Sequence, residues 1–353
     1  MAEAFAAREP GDSRPGERPA THFAALDLGT NNCRLLIATP TARGFRIVDA
    51  YSRIVRLGEG LSASGRLSDA AMERAIAALR ICADKIQRRA PVRVRAIATQ
   101  ACRSAKNGAE FLANVEARTG ISLDIISPRE EARLSVAGCS NLIDPEAEGA
   151  LVLDVGGGST ELAWLDLRGR RDPGRVPPIA AWLSVPIGVV TLAERFPEGD
   201  EADEAWFRAM VEAIKAPIAE FANAEPLREL FAAGRTHLIG TSGAITSLAG
   251  LHLDLPRYER SRVDGLWMTR GECEAVRARL TALTPGQRAA QPCIGPDRAD
   301  LVLAGAAILE AVQEVWPCER VRVADRGLRE GMLLSLMNEG RRRGRGRRRR
   351  SRR

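Results

Sequence analysis

The chain has 353 residues, 45% of them apolar, more than one ordinary hydrophobic core holds and enough to fill two. Its formal charge of +7 belongs to a tail and not to a folded face: residues 341–353, RRRGRGRRRRSRR, hold ten arginines, and without those ten charges residues 1–340 stand at −3. Seven scattered cysteines (33, 82, 102, 139, 273, 293, 318) with no C-x-x-C pair argue against a disulfide framework, and no stretch has the apolar length of a secretory signal or a membrane span, so a reducing cytoplasm is expected.

In chain order, residues 1–21 are rich in Pro and charge and are expected to be a disordered arm. FAALDLGTNNCRLLIA (23–38) reads as strand, glycine turn, strand. LSDAAMERAIAALRICADKI is a helix, with Ile76, Leu79, Ala83 and Ile86 on one face and Ser68 as N-cap. VRVRAIAT (92–99) and ISLDIIS (121–127) read as strands, separated by a helix at 111–119 that Gly120 closes. PREEARLSVAGCS (128–140) opens a helix with Pro128 and two acids in its first turn.

The second half largely repeats this order, which predicts a duplicated α/β domain with a cleft between the copies. It opens on LVLDVGGGSTELAW (151–164). A Pro-rich loop (172–178), a strand at AAWLSVP, helices at 189–196 and 203–222, and the strand-to-helix turn HLIGTSGAITSLAG (237–250) follow. Thr269 and Glu272 form a capping box; an amphipathic helix is expected over 297–316, then a strand at ERVRVAD and a last helix from Gly327. Expected boundaries are 22–133 for the first domain, 134–338 for the second, with the last helices packing back on the first, and 339–353 as a disordered arginine-rich tail.

Glycine weakens a strand interior, so GGG within LVLDVGGGSTELAW needs a reason. A glycine turn can aim successive backbone N–H groups into one concavity and bind phosphate without a lysine. Gly29, Thr30, Asn31 and Asn32 form one such loop; Gly156, Gly157, Gly158, Ser159 and Thr160 form a second; Gly240, Thr241, Ser242 and Gly243 open a helix in a third. Asp27 and Asp154 end their strands just before the first two loops, where a carboxylate can hold Mg²⁺ against phosphates. A lone Asp-x-Gly-Thr is an ordinary hairpin turn; recurrence with matched flanks points to a clamp on a phosphate chain. No G-x-x-x-x-G-K-[ST] occurs, and the chain returns after Gly158 as a strand, so neither a P-loop nor a dinucleotide fingerprint is present.

DLGTNNCRLLIA, ATQACRSAKN, IISPREEARLS, LVLDVGGGSTEL, GTSGAIT and RGLREGML, in this order, resemble the exopolyphosphatase/guanosine pentaphosphate phosphohydrolase family over residues 22–338. The resemblance implies two actin-like (ribonuclease H-like) α/β domains, Mg²⁺ dependence, and removal of a terminal phosphate from polyphosphate or guanosine pentaphosphate. It makes Glu131 the base that activates water, Arg103 an arginine facing the phosphates, and Glu161 an acid near the metal. Glu130 and Glu131 lie about 100° apart on a helix, so only one can face the cleft; the family pattern chooses Glu131. Asn32-Cys33-Arg34 departs from the serine, aromatic and histidine common in relatives. With histidines only at 22, 237 and 252, the C-terminal helical domain of longer relatives is expected to be absent. An ATP-dependent kinase or ATPase of the same superfamily, and a non-catalytic sensor, are the alternatives; the oligomeric state, homodimer included, stays open. The arginine tail reads either as a solvated end adhering to RNA or as a collector of polyanionic substrate.

Overall fold

The computed structural model describes residues 21–350 except 43, 171–174, 200–202, 220 and 222–224. The N-terminal arm, the first part of the Pro-rich loop and the last three residues therefore lie outside the described residues. The first sheet comprises β1 (Phe23–Leu28), β2 (Asn32–Thr41), β3 (Gly44–Ile54), β4 (Arg93–Ala98) and β5 (Asp124–Ile125), in the order β3-β2-β1-β4-β5. The first three strands run antiparallel, and β4 and β5 lie parallel to β1.

The second sheet holds β6 (Gly149–Val155), β7 (Thr160–Asp166), β8 (Ile179–Val185), β9 (Thr236–Thr241), β10 (Trp267–Thr269) and β11 (Arg320–Ala324), in the order β10-β11-β9-β6-β7-β8. From its β8 edge, this sheet repeats the first: a three-stranded antiparallel meander followed by two parallel strands, with β10 added antiparallel at the end. The duplicated actin-like architecture is thus present, and each Asp-Gly loop leaves the carboxyl end of the central strand of its sheet.

Local signals place most helices. Ser68 accepts from Ala71 N and starts Asp69–Arg89; Gly120, at φ 68°, stops Gly108–Thr119; Ser127 accepts from Glu130 N and starts Pro128–Cys139; and Thr269 with Glu272 forms the expected box. Four expectations need correction. Strand β3 was not foreseen, because its burial alternates poorly along an exposed edge. ISLDIIS pairs only at Asp124–Ile125. The helix expected over 297–316 is Val302–Val315, and residues 302–309 are buried on every side, so it is a central core helix and not an amphipathic one. The last helix is Leu328–Arg350, so the backbone of 339–350 is helical where disorder was expected; arginine is a good helix former, and the packed turns before it supply the nucleus.

In the larger core Trp164 stacks on Phe221 at 5.1 Å and meets Trp316 edge-on at 4.8 Å. Two helices join the sheets. On Pro128–Cys139, Leu134 packs with Phe23 of the first half and with Met332 of the last helix, while Val136 and Cys139 pack with Ala150 and Val152 of the second half. Met332, Leu333, Leu336 and Met337 of the last helix cover β1 and β2. These helices approach closely at glycines: a Cβ on Gly138 would overlap the Gly327 carbonyl oxygen, and one on Gly331 the Leu134 carbonyl oxygen. Gly138→Ala is expected to force the pair apart and cost about 2–3 kcal/mol, read as a lowered denaturation midpoint; unchanged stability would show that the crossing can relax.

Candidate phosphate-binding cleft

The two loops are built alike. Gly29 N–H donates to Asn32 O at 2.8 Å, and Gly156 N–H donates to Ser159 O at 2.9 Å, closing each turn. Among the described residues the amides of Thr30, Asn31, Gly157 and Gly158 find no hydrogen-bond partner, which leaves them as donors. The loops also touch. A Cβ on Gly157 would lie 3.0 Å from Thr30 Cβ, and one on Gly158 would lie 2.7 Å from Thr30 Oγ1. Part of the reason for GGG is therefore the opposite loop itself.

Across the mouth, Arg56 grips Asp300 through two bonds of 2.8 and 3.1 Å, and Glu194 accepts from Gly60 N at 2.8 Å and Ser62 Oγ at 3.1 Å. These exposed contacts tie the halves together at modest energy.

Behind the loops lies a cavity of about 440 Å³. Asp27, Glu131, Asp154 and Glu161 all line it. The hairpin registers explain two of them: Asp154 is paired with Glu161, as Asp27 is with Arg34, so each pair shares one face of its sheet. Helix Pro128–Cys139 brings the other acid. Glu131 faces the cavity, whereas Glu130 turns outward to Arg95 at 2.9 Å and Arg133 at 2.6 Å, which hold it down at about 2. One turn after Glu131, Ser135 donates to Asp154 Oδ2.

Burial raises Asp27, Glu131, Asp154 and Glu161. Asp27 is pushed up to about 6 and Glu161 to about 7, in both cases by desolvation first; Asp154 adds to each, while Arg34 opposes it at Asp27 and Ser159 and Ser184 at Glu161. Asp154 is raised by desolvation against the pull of Ser135 and Arg34. Glu131 rises well above the carboxylate range through desolvation and then Glu161, with Arg103 pulling it back.

This donor set fits a hard divalent cation. All donors are oxygens, the acids repel one another, and Asp27 Oδ1, Asn31 Oδ1 and Asn32 Oδ1 are buried without partners. Among the described residues no three acids, histidines or cysteines converge on one point. Asp27 and Asp154 would thus hold a cation jointly with phosphate and water, a manner that suits Mg²⁺.

The opposite wall is positive. The Cβ position of Gly243 lies 3.6 Å from both Arg34 Nη2 and Arg298 Cζ, at the N-terminus of helix Gly243–His252. Neither guanidinium has a carboxylate partner within 4 Å among the described residues. Arg329 lines the same wall, and burial first, then Arg34, lowers its pKa against the pull of Glu330. Two guanidiniums without a carboxylate partner beside a helix N-terminus could hold an anion.

A family model described as the Ppx/GppA phosphatase family matches residues 36–339. The chain belongs to that family. The family's named members hydrolyse phosphoanhydrides. A guanosine-5'-triphosphate,3'-diphosphate pyrophosphatase of Aeromonas hydrophila is 33% identical over 316 residues, 89% of this chain and 59% of that protein, so the chain spans well under two thirds of that relative. Exopolyphosphatase 2 of Mycobacterium tuberculosis is 31% identical over 329 residues, covering 90% of this chain and 98% of that protein. The crystal structure of the Aquifex aeolicus Ppx/GppA member superposes with a TM-score of 0.73 at 28% identity, over 91% of this chain and 99% of that one.

Against this Ppx/GppA frame, most of the expected residues meet in the cavity: Asp27, Gly29 through Asn32, Gly156 through Ser159, Glu131, Asp154, Glu161 and Thr241 through Gly243 all line it. Three do not. Thr160 is the first residue of β7, where alternation turns its hydroxyl away to donate to Ile187 O at 2.7 Å. Gly240 lies inside β9 with its bare face filled by Ile245. Arg103 stands behind the wall, donating to Ile126 O at 2.7 Å and Gln100 Oε1 at 2.5 Å, and lies 3.5 Å from Glu131 Oε2. It reaches the cavity through Glu131. Sequence reading missed Arg34, Ser135, Arg298 and Arg329. Arg34 was findable from the hairpin register opposite Asp27, and Ser135 from its spacing of four from Glu131. Nothing local marks Arg298, whereas Arg329 lies within the segment RGLREGML, to which no role was given. Among the described residues no helix is long and apolar enough to cross a membrane.

Proposed function

We propose that this chain is a Mg²⁺-dependent exopolyphosphatase that removes the terminal phosphate of inorganic polyphosphate. The observation that carries the reading is Glu131, a buried carboxylate turned into the cavity between the two glycine loops, with Arg103 at 3.5 Å behind it. The terminal phosphate is held by the amides of Thr30, Asn31, Gly157 and Gly158. Glu131 accepts the proton of the attacking water, its basicity raised by burial and limited by Arg103. A bound divalent cation at Asp27 and Asp154 would neutralise charge on the phosphate chain. The shortened chain leaves as the phosphoanhydride bond breaks, and the preorganised amides stabilise the charge that develops. The likeness to exopolyphosphatase 2 along 98% of that protein supports the same reading.

A second substrate, guanosine pentaphosphate, is favoured by the Arg34–Arg298 pair and by Tyr258, Pro292 and Ile294, an apolar wall in the same cavity. A branched nucleotide brings both extra phosphate and a base, which such a wall suits. Phosphate release from polyphosphate, guanosine pentaphosphate and ATP with Mg²⁺ tests both readings. Binding without turnover would overturn them in favour of a sensor, and ATP-dependent transfer to an acceptor in favour of a kinase. Arg34→Ala and Arg298→Ala are each expected to raise KM for guanosine pentaphosphate about tenfold and for tripolyphosphate far less. Equal losses on both would reassign the pair to the phosphate chain.

A further inference from the structure

Ser135 is a polar residue in an apolar place. It sits inside helix Pro128–Cys139, 1% exposed, between the buried side chains of Leu134 and Val136. Alanine suits a helix interior better, and a hydroxyl withdrawn from water is costly unless it is bonded. A helical serine commonly turns back to the carbonyl four residues earlier, here that of Glu131. Ser135 donates to Asp154 Oδ2 instead. Among the described residues no other group bonds the Asp154 carboxylate, so Oδ1 is left over on a side chain that lines the cavity. The first half has no counterpart: Asp27, at the equivalent position of its sheet, has Oδ1 buried without a partner and, among the described residues, no hydroxyl bonded to it. Ser135 also shares a helix face with Glu131 one turn earlier, and the helix is pinned where Gly138 meets the Gly327 carbonyl oxygen.

We propose that Ser135 is a positioning residue: its hydroxyl occupies Asp154 Oδ2 and so presents Oδ1 to a divalent cation, with the pinned helix setting that cation in register with Glu131. This rests on the reading of Asp154 as a cation ligand in the hydrolytic cleft. A carboxylate free to rotate loses that freedom when it binds a cation, whereas one already held by a hydroxyl has lost it beforehand. Of the two acids, Asp154 is the fixed ligand and Asp27 the one that adjusts. Removing the hydroxyl deletes no ligand and no charge, so it weakens cation binding by misplacement alone.

The test compares Mn²⁺ binding, followed by electron paramagnetic resonance with orthophosphate present, for the unaltered chain, Ser135→Ala and Ser127→Ala. Ser127 caps the same helix by accepting from Glu130 N, so its variant loosens the helix and keeps the Ser135 hydroxyl. Ser135→Ala is expected to raise the Mn²⁺ dissociation constant about tenfold, and Ser127→Ala by less than about twofold. In phosphate release from polyphosphate, the Mg²⁺ concentration that gives half the maximal rate should rise about tenfold for Ser135→Ala, with kcat at saturating Mg²⁺ within about threefold of the unaltered chain. An unchanged cation affinity in Ser135→Ala overturns the proposal even if that variant melts lower, because a purely structural hydroxyl predicts that result. An equal loss of affinity in Ser127→Ala overturns it as well, by assigning the effect to helix integrity. If the unaltered chain binds Mn²⁺ but releases no phosphate, the hydrolase reading has failed and the Mn²⁺ comparison still decides the role of Ser135. If the unaltered chain binds no Mn²⁺, the cation reading fails and this proposal fails with it.

Discussion

Glu131→Gln is expected to lower kcat for phosphate release by about 10³-fold while KM changes less than about threefold. Glutamine keeps the size and hydrogen-bonding reach of the side chain but cannot take a proton from water. The loops that hold the phosphate are untouched, so binding survives. Glu130→Gln, on the neighbouring residue, is expected to cost only stability, since that carboxylate is engaged with Arg95 and Arg133 away from the cavity. The pH profile adds a second readout. Burial raises Glu131, and the base works only when deprotonated, so kcat climbs with rising pH. Arg103 pulls that pKa down, so Arg103→Ala should displace the climb to higher pH as well as slow the reaction. A profile of unchanged position with Arg103→Ala would make that arginine a structural group only. Comparable kcat for Glu131→Gln and the unaltered protein would remove Glu131 as the base.

The second large effect is on stability. Without divalent cations the protein is expected to melt about 3–6 °C lower at pH 8.5 than at pH 6.5, and Mg²⁺ should recover most of the loss. A carboxyl whose folded pKa is raised binds its proton more tightly in the folded state. Its stabilising contribution is full at low pH and is lost as pH rises through the folded value. Asp27 at about 6, Glu161 at about 7, and Glu131 and Asp154, also raised, act in this sense. Groups of opposite sign act elsewhere on the scale. Glu130 and Glu314, held at about 2 by their arginine partners, lose their contribution only in acid, and buried His237, at about 4, loses its contribution as pH falls below 6.5. Buried cysteines such as Cys102, pushed upward by burial, begin to add to the loss at the top of the window whether or not Mg²⁺ is present, and Tyr258 acts above it. A cation beside Asp27 and Asp154 favours their charged forms and so removes the penalty. Asp27→Asn is expected to raise the cation-free melting temperature at pH 8.5 and to blunt the response to Mg²⁺, a site kept at the expense of stability. A melting temperature that is flat between pH 6.5 and 8.5 and indifferent to Mg²⁺ would contradict this account of the four acids.

Much of the site was legible because it is local. A hairpin with glycine at its tip is encoded within about eight residues, and the two Asp-Gly loops were readable as loops and as a pair. Register carries some of the rest. Asp27 faces Arg34 and Asp154 faces Glu161 at the same seven-residue spacing, so equivalent positions of the two halves supply a guanidinium in one copy and an acid in the other. Thr160 shows the limit of composition: one step along a strand turns a hydroxyl from the cavity to Ile187 O.

From the amino-acid order come the duplication, the two free-amide loops, the caps that start the helices, the helix bearing Glu130 and Glu131, and the confinement of the net positive charge to the last thirteen residues. These depend on short-range sterics, hydrogen bonding and periodicity, which neighbouring residues settle among themselves. Packing of distant segments settled the remainder. It turned Glu131 inward and Glu130 outward, put Arg103 behind the base, placed Arg34 and Arg298 together at Gly243, and pressed Gly157 and Gly158 against Thr30. Each of these joins residues far apart in the chain, and only the docking of two sheets through glycine-lined helix crossings brings them within contact distance.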